Sequence, residues 1–290
     1  MPAASIALVL LAALIHATWN LLAKRAADAG AIFVAAYNLV AFVAYAPWAW
    51  WLIARGAVSW SWPVAAVLAA SALIHLAYSL VLQHGYRVAD FSVVYPVARG
   101  TGPLLASLAA FLVLGEIATL AGLAGLALVV VGIALIATNG RWRAFRGGSG
   151  QRGVVWGGAT GALIASYTVN DAVAVKQLLV PPVVLDWCSN AARFVLLLPL
   201  VLRNPARARD AMRGRWLLAL GVGLLSPLSY ILVLGALQLG APVSLVAPMR
   251  ELSMMVGALL GLFILREPVG PARLSGCSLL VIGVVLLGSH

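Results

Sequence analysis

Charge and cysteine are scarce in this sequence. Only 9% of its 290 residues are Asp, Glu, Lys or Arg, whereas 63% are hydrophobic, and the mean hydropathy is +1.04. A soluble domain of this length could not bury so much apolar surface, so its solvent must be lipid. The two cysteines, Cys188 and Cys277, lie in apolar segments outside any metal-binding or redox motif, and we interpret them as packing residues.

The sequence also lacks the motifs of the common enzyme chemistries. It contains no Walker motif, no zinc-ligand spacing and no nucleophile elbow. Its few titratable residues do not suggest a set of nucleophile, base and orienting group. These absences argue against ATP-driven work and against catalysis, so we expect no enzymatic activity, no metal and no cofactor.

Long apolar runs dominate what is present. A membrane span needs roughly 20 predominantly apolar residues, and lipid cannot satisfy backbone polar groups, so such runs should be helices. Ten runs meet this measure: 4–22, 31–53, 63–83, 91–114, 119–138, 153–173, 182–202, 216–237, 242–264 and 271–288. The short connections leave no room for a soluble domain. The sequence therefore predicts an all-α membrane protein with ten transmembrane helices.

Positive charge is distributed unevenly among the loops. Of the 19 Lys and Arg residues, fourteen lie in or beside odd-numbered loops, two lie in even-numbered loops, and three lie within spans. Cytoplasmic loops collect Lys and Arg, so the odd-numbered loops are predicted to face the cytoplasm and both termini to lie on the opposite side. Membrane orientation thus explains the net charge of +11, and we expect a lipid bilayer rather than nucleic acid as the partner.

The second half of the chain repeats the first. The starts of the halves agree loosely ("ALIHATWN", 13–20, and "ALIASYTVN", 162–170), and further on an offset of 152, later 151, pairs Tyr78 with Tyr230, Ser92 with Ser244, Pro96 with Pro248, Arg99 with Arg250, Glu116 with Glu267, Gly125 with Gly276 and Gly132 with Gly283. Five helices per repeat is an odd number, so the repeats should have opposite orientations around a central site. We divide the chain into a first five-helix repeat at 1–138, a basic cytoplasmic linker at 139–152 and a second five-helix repeat at 153–290.

Polar side chains within the spans are the candidate binding site. Polar groups at membrane depth usually face a bundle interior or an aqueous cavity, and residues three or four positions apart share a helix face. The substrate-binding candidates are Tyr78, Tyr230, His16, Asn20, His75, Trp19, Trp187, Asn190, Arg193 and Ser244, with Ser226 on the same helix face as Tyr230. The alternative is that these groups only bond neighbouring helices. The histidines leave proton coupling open.

Charged residues within the spans form a second candidate set. Arg99, Asp186, Arg250 and Glu251 are predicted to form charge pairs, in which Asp186 and Glu251 neutralise Arg193 and Arg250. The mixed charge of the spans, Arg99, Arg193 and Arg250 against Asp171, Asp186 and Glu251, suits a zwitterionic substrate, and a purely structural role is the alternative.

The prolines and glutamates shared by the two halves have conformational roles. Pro96 and Pro248 each remove a backbone donor and bend their helix, which predicts hinges, with static kinks as the alternative. Glu116 and Glu267 precede the last helix of each half and are predicted to cap its N-terminus.

These features together resemble one known group of proteins. Ten spans in two halves, a proline inside the fourth and ninth, and the closing segments "LVLGEIATLAGLAGLALVVVGIAL" and "LFILREPVGPARLSGCSLLVIGVVLL" resemble the ten-helix, EamA-like branch of the drug/metabolite transporter superfamily. The resemblance implies a basket of helices around a central cavity that moves small metabolites, often amino acids, outward. The segment "HATWNLLAKRA" (16–26) also resembles members linked to phosphonate use.

We therefore expect a secondary transporter in a bacterial inner membrane that exports amino acids or similar small amphipathic metabolites by alternating access. An organic-anion, phosphonate or drug transporter is the alternative within transport, and a lipid-handling protein is the alternative outside it. The small multidrug members of the superfamily use a glutamate in their first helix, whereas this chain has His16 at a similar depth. Export of quaternary cations by that route is not expected.

The charge distribution generates a topology prediction. A reporter that is active only in the cytoplasm, fused after residue 290, should stay silent, because the fourteen-to-two loop bias places both termini outside. The same reporter inserted in the basic linker should be active. A bright signal at the C-terminus would overturn the assignment.

Overall fold

A computed structural model describes residues 2–139, 145, 147–265 and 270–289, and every regular element in these residues is helical. The α-helices are α1 (Ala3–Lys24), α2 (Gly30–Ala54), α3 (Trp62–Val88), α4 (Phe91–Val113), α5 (Leu120–Thr138), α6 (Gly148–Lys176), α7 (Pro182–Arg203), α8 (Pro205–Met212), α9 (Trp216–Gln238), α10 (Val243–Arg250), α11 (Leu252–Leu265) and α12 (Pro271–Gly288). A 3-10 turn, Ala27–Ala29, joins α1 to α2.

Eight of the described helices are long and apolar enough to cross a membrane: α1 to α5, α7, α9 and α12. The other two predicted spans differ in instructive ways. Helix α6 has the length, at 29 residues, but its first half is Gly-rich and it contains Arg152, Asp171 and Lys176. The predicted span at 242–264 is divided into α10 and α11, which meet at Arg250 and Glu251. The protein is an all-α integral membrane protein.

The two halves pack mainly against each other. Helix α5 lies along α12 and α2 along α7, while α3 and α4 pack on α6, and α9, α10 and α11 pack on α1. Helix α10 also contacts α4. Through these contacts, helices of both halves surround the centre of the molecule.

Four glycines allow α5 and α12 to approach closely. A Cβ added at Gly125 would lie 2.6 Å from the carbonyl oxygen of Gly283, and one at Gly132 would lie 2.7 Å from that of Gly276. The reverse contacts have the same lengths, so the crossing is antiparallel and reciprocal. Small residues of this kind are what permit backbone contact between helices in lipid.

Glu116 caps a helix, but the prediction of which helix was wrong. The N-terminus of α5 is capped by Thr119, whose hydroxyl accepts from the Gly122 N–H. The Glu116 carboxylate instead reaches the other half, where it accepts from the N–H groups of Val243 (2.7 Å) and Ser244 (2.9 Å) at the start of α10. Its repeat partner Glu267 lies outside the described residues, as do residues 140–144 and 146 of the basic linker.

The two repeat-related prolines have different surroundings. Pro96 lies within the continuous helix α4, whereas Pro248 lies two residues before the end of α10. Since Pro248 has no N–H, it leaves the carbonyl of Ser244 without its helical donor. That carbonyl accepts instead from the Ser107 hydroxyl of α4, at 3.2 Å.

The glycine crossing generates a stability prediction. Gly132→Ala should destabilise the protein by about 1–3 kcal/mol, because the new methyl group meets backbone atoms that cannot rotate away. Thermal unfolding of the purified protein in detergent measures the effect. Gly158→Ala in α6, where nothing lies within 4 Å of the added Cβ, is the matched control. Equal melting temperatures for the two variants would contradict the prediction.

Candidate functional site

A central cavity of about 100 Å³ lies where helices of the two halves meet. Roughly 10–15 Å³ of such space holds one water, so the cavity can accept several waters or a small metabolite. Ten residues named from the sequence line it: His16, Trp19, His75, Tyr78, Arg99, Asp186, Arg193, Ser226, Tyr230 and Arg250. These side chains come from six helices: α1, α3, α4, α7, α9 and α10.

Aromatic rings form one wall of this cavity. The rings of His75 and Tyr167 stack with their centroids 4.0 Å apart, and Tyr230 meets His75 edge-on at 5.5 Å. Tyr78 contacts Tyr167 edge-on at 5.8 Å. The Tyr230 hydroxyl donates to the buried Asp171 carboxylate at 2.6 Å, which fixes the ring in place. Rings packed in this way offer apolar faces together with a few hydroxyl groups.

A second aromatic contact comes from α1. His16 and Trp19 meet edge-on with centroids 4.8 Å apart. The Trp19 indole donates to the Ser229 hydroxyl at 3.2 Å, and that hydroxyl donates to the Ser226 carbonyl at 2.9 Å. Trp19 of α1 is thus linked to α9 by two successive hydrogen bonds beside the cavity.

The charges of the site pair differently from the prediction. Glu251 forms an ion pair with Arg99, with 2.9 Å between the carboxylate oxygen and Nε, and not with Arg250. Arg99 also donates to the Ser253 hydroxyl at 3.2 Å. Glu251 is 1% exposed, so this pair is buried within the helix bundle. A buried pair of this type fixes the two helices that carry it.

Asp186 and Arg193 are linked through a third residue. Asn190 donates to the Asp186 carboxylate at 2.7 Å and accepts from Arg193 at 2.9 Å. No direct ion pair joins Asp186 or Arg193 to another described residue. The polar stripe predicted on α7 is thus a chain of hydrogen bonds from Arg193 through Asn190 to Asp186. Asp186 and Arg193 line the cavity, whereas Asn190 does not.

Arg250 lines the cavity without an ion-pair partner among the described residues. It is 5% exposed and lines the cavity, yet no described carboxylate forms an ion pair with it. Its one hydrogen bond to a described residue is long, 3.4 Å from Nη2 to the Tyr167 hydroxyl, and its buried Nε has no partner among them. A buried charge without an ion-pair partner costs several kcal/mol, so this guanidinium is a candidate site for an anion.

Three other predicted residues lie away from the cavity. The Asn20 amide donates to the carbonyl of His16 on its own helix, at 2.7 Å. The Trp187 ring stacks on Phe42 and donates to the Phe42 carbonyl at 2.8 Å, so it faces α2. Ser244 is held at the start of α10 by Glu116. For these residues the structure supplies a helix-packing or capping role.

Four polar lining residues were not selected from the sequence: Tyr37, Ser79, Tyr167 and Ser229. For Tyr167 a signal was present, because the aligned starts of the two halves set it beside the position of His16. For Tyr37, Ser79 and Ser229, the sequence shows a polar residue in an apolar span but does not show which way its side chain points. Across the described residues, no group of three or more His, Cys, Asp and Glu could hold a metal ion.

Comparison with known proteins assigns the fold and the family. The sequence profile described as "EamA-like transporter family" matches residues 3–138 and again residues 151–289. A crystal structure described as "Crystal structure of protein" superposes with a TM-score of 0.79 at 18% sequence identity, over 99% of this chain and 96% of that chain. At that identity, the likeness concerns the fold alone. No protein among the curated sequences matches significantly.

Proposed function

Because the chain belongs to the EamA-like transporter family, and is thus a membrane transporter of small molecules, we propose that it is a secondary transporter that exports amino acids or similar small amphipathic metabolites by alternating access. The observation that carries the proposal is the central cavity, in which aromatic faces lie beside two charges of opposite sign, Arg250 and Asp186, without direct ion-pair partners among the described residues. An amino acid has an acidic group, a basic group and in many cases an apolar side chain. We assign the protein to a bacterial inner membrane.

The packing between the halves supports two inverted five-helix repeats, with α6 as the sixth span and α10 and α11 together as the ninth. A two-fold axis in the membrane plane would make every contact between repeats occur twice. The pairs α3–α6 and α9–α1 are such a set, and so are α4–α6 and the contact of α10 and α11 with α1. The antiparallel glycine contacts of α5 and α12 lie where this axis would pass. This arrangement keeps the proposed units at 1–138 and 153–290, joined by the linker at 139–152.

An organic anion such as a phosphonate is the second candidate substrate. Three arginines line the cavity, against one lining carboxylate, Asp186. Glu251 balances Arg99, which leaves one positive charge in excess among the lining residues, since the buried Asp171 lies behind Tyr230 and does not line the cavity. That excess favours a substrate with net negative charge, whereas the pairing of opposite charges favours a zwitterion.

Flux in proteoliposomes decides between these substrates. The purified protein is reconstituted, and vesicles are loaded with labelled amino acids, organic acids, phosphonates or cationic drugs. We expect efflux of an apolar amino acid above that of protein-free vesicles. Efflux of phosphonates or organic acids alone would favour the second candidate. Retention of all solutes, with exchange of fluorescent phospholipid instead, would favour a lipid-handling protein.

Proton coupling is proposed on the titratable groups at the cavity. His16 and His75 line it, and Asp171 lies directly behind Tyr230. The same vesicles, with and without an inward proton gradient across the membrane, test the coupling. Equal efflux in both conditions would exclude protons as the driving ion.

The tyrosine wall generates a binding prediction. Tyr78→Ala should weaken binding of the transported amino acid by roughly 10-fold or more, because a buried ring and its hydroxyl are both lost. Equilibrium binding to the detergent-purified variant is the measurement. Tyr86→Ala, on the same helix but outside the cavity lining, is the control. Normal binding by Tyr78→Ala would leave the ring with a packing role.

The prolines generate a kinetic prediction. Pro248→Ala restores an N–H that competes with Ser107 for the Ser244 carbonyl, so the bend should stiffen and turnover should slow more than binding weakens. Pro96→Ala tests the other half in the same way. Pro199→Ala, at an exposed position of α7, is the control. Unchanged transport rates in both variants would contradict the hinge assignment.

Glu116 and its partners form a contact between the halves that we name the Glu116 bridge. The carboxylate holds the start of α10, and Lys176 lies 3.6 Å from it and donates to the Ala241 carbonyl at 3.1 Å. The bridge thus ties together the ends of α4, α6 and α9 with the start of α10. In the predicted topology it lies on the non-cytoplasmic side of the membrane.

The bridge generates an accessibility prediction. Glu116→Gln removes the charge that holds two N–H groups, so α10 should detach more readily and its first turn should open to water. A Ser244→Cys variant lacking the two native cysteines should then react several-fold faster with an impermeant maleimide. Asp28→Asn, which breaks the more exposed Asp28–Arg215 pair, is the control. Equal labelling rates would show that the bridge does not limit opening.

A further inference from the structure

We propose that Arg250 is the subsite for the acidic group of the substrate, and that this group is a carboxylate carrying a single negative charge. The inference rests on the proposed transport function and specifies its substrate class. Arg250 is the last residue of α10, at the break where α11 begins, so its side chain enters the cavity from an interrupted helix.

The donors of Arg250 are available to a ligand. A guanidinium carries five N–H donors in a fixed fork that matches the two oxygens of an acid group. Within the described residues, Nε has no acceptor and Nη2 has only the long contact to the Tyr167 hydroxyl. The side chain is 5% exposed and borders the cavity. A ligand in the cavity can therefore accept hydrogen bonds from this guanidinium.

The repeat explains why this arginine is unpaired. Arg99 and Arg250 are equivalent in the two halves, and Arg99 is held by Glu251 and Ser253 of the opposite half. The offset of 151 residues places Gly100 and Gly102 at the positions equivalent to Glu251 and Ser253. Glycine has no side chain, so the partners that satisfy one arginine are missing for the other.

The charge available at Arg250 indicates which acidic group, a carboxylate or a phosphonate, fits the subsite. Arg99 is neutralised by Glu251, and Arg193 is connected to Asp186 through Asn190. Arg250 and the buried Asp171 behind Tyr230 are then left without an ion-pair partner among the described residues, and of these two only Arg250 lines the cavity. A carboxylate supplies one negative charge, whereas a doubly charged phosphonate would introduce a second charge without a partner. The neighbouring rings of Tyr167 and Tyr230 favour an apolar body on the acid.

Matched ligands isolate the acidic group. Binding to the purified full-length protein is measured for leucine and phenylalanine, their amides, their decarboxylated amines, their deaminated carboxylic acids and their aminophosphonate analogues. We expect the amino acids and the carboxylic acids to bind, and the amides and amines to bind at least tenfold more weakly. Failure of the carboxylates to bind, or stronger binding by the aminophosphonates, overturns the assignment.

Two substitutions of Arg250 then test its role directly. Arg250→Gln should lose roughly 10- to 100-fold in carboxylate affinity, with little change for the amides, and Arg250→Lys should retain part of it. Arg55→Gln, an exposed arginine stacked on Trp51, is the matched control. Equal losses for acids and amides would mean that the variant only disturbs packing, which contradicts the proposal.

A second variant leaves Arg250 in place and supplies the missing countercharge. A Cβ at Gly100 meets only Val130, at 3.8 Å, so a side chain can start there. Gly100→Glu should neutralise Arg250 and abolish carboxylate binding, whereas the isosteric Gly100→Gln should retain it. Similar binding by the two variants overturns the assignment.

Transport is measured separately from binding. Carboxylate binding that depends on Arg250, without flux in proteoliposomes, would refute the transport proposal and leave the subsite standing. Flux of amino acids that is unaffected in Arg250→Gln would refute the subsite and leave transport standing.

Discussion

Lipid offers no hydrogen-bond partner, so every polar group within these spans depends on another part of the protein. The structure meets this constraint by contacts between the two halves. The N–H groups at the start of α10 bind Glu116, the carbonyl left free by Pro248 binds Ser107, and Arg99 binds Glu251. Each contact joins one half to the other, so satisfying the polar groups also assembles the cavity.

The sequence predicted the helices better than the directions of their side chains. Apolar runs locate spans because lipid excludes unsatisfied backbone, and the polar pair His75 and Tyr78 pointed correctly to the cavity lining. Trp187 and Ser244 looked equally suitable, yet Phe42 and Glu116 hold them elsewhere. Those partners lie more than a hundred residues away in the sequence. Local spacing carries no information on such contacts.

The break between α10 and α11 lies where the two halves of the sequence repeat differ in length. Between the proline and the arginine, the second half is one residue shorter than the first. A helix turns about 100° per residue, so this deletion rotates everything that follows relative to the first half. The rotation coincides with the break between Arg250 and Glu251. The two adjacent charges can then act apart, Glu251 on Arg99 and Arg250 at the cavity.

The proposed subsite and the Glu116 bridge lie at opposite ends of one short helix. Helix α10 has eight residues, or about 12 Å at 1.5 Å per residue. Its first turn is held by Glu116, and its last residue is Arg250. At the proposed subsite, an acid bound to Arg250 acts on one end of a short helix whose other end is held by Glu116 of the opposite half. Because a ligand shifts a conformational equilibrium only through its different affinities for the two states, the substrate must bind Arg250 more strongly in one arrangement of α10 than in the other. Among the described residues Arg99 has an ion-pair partner and Arg250 has none, so in the proposed mechanism α10 carries the arginine that responds to substrate.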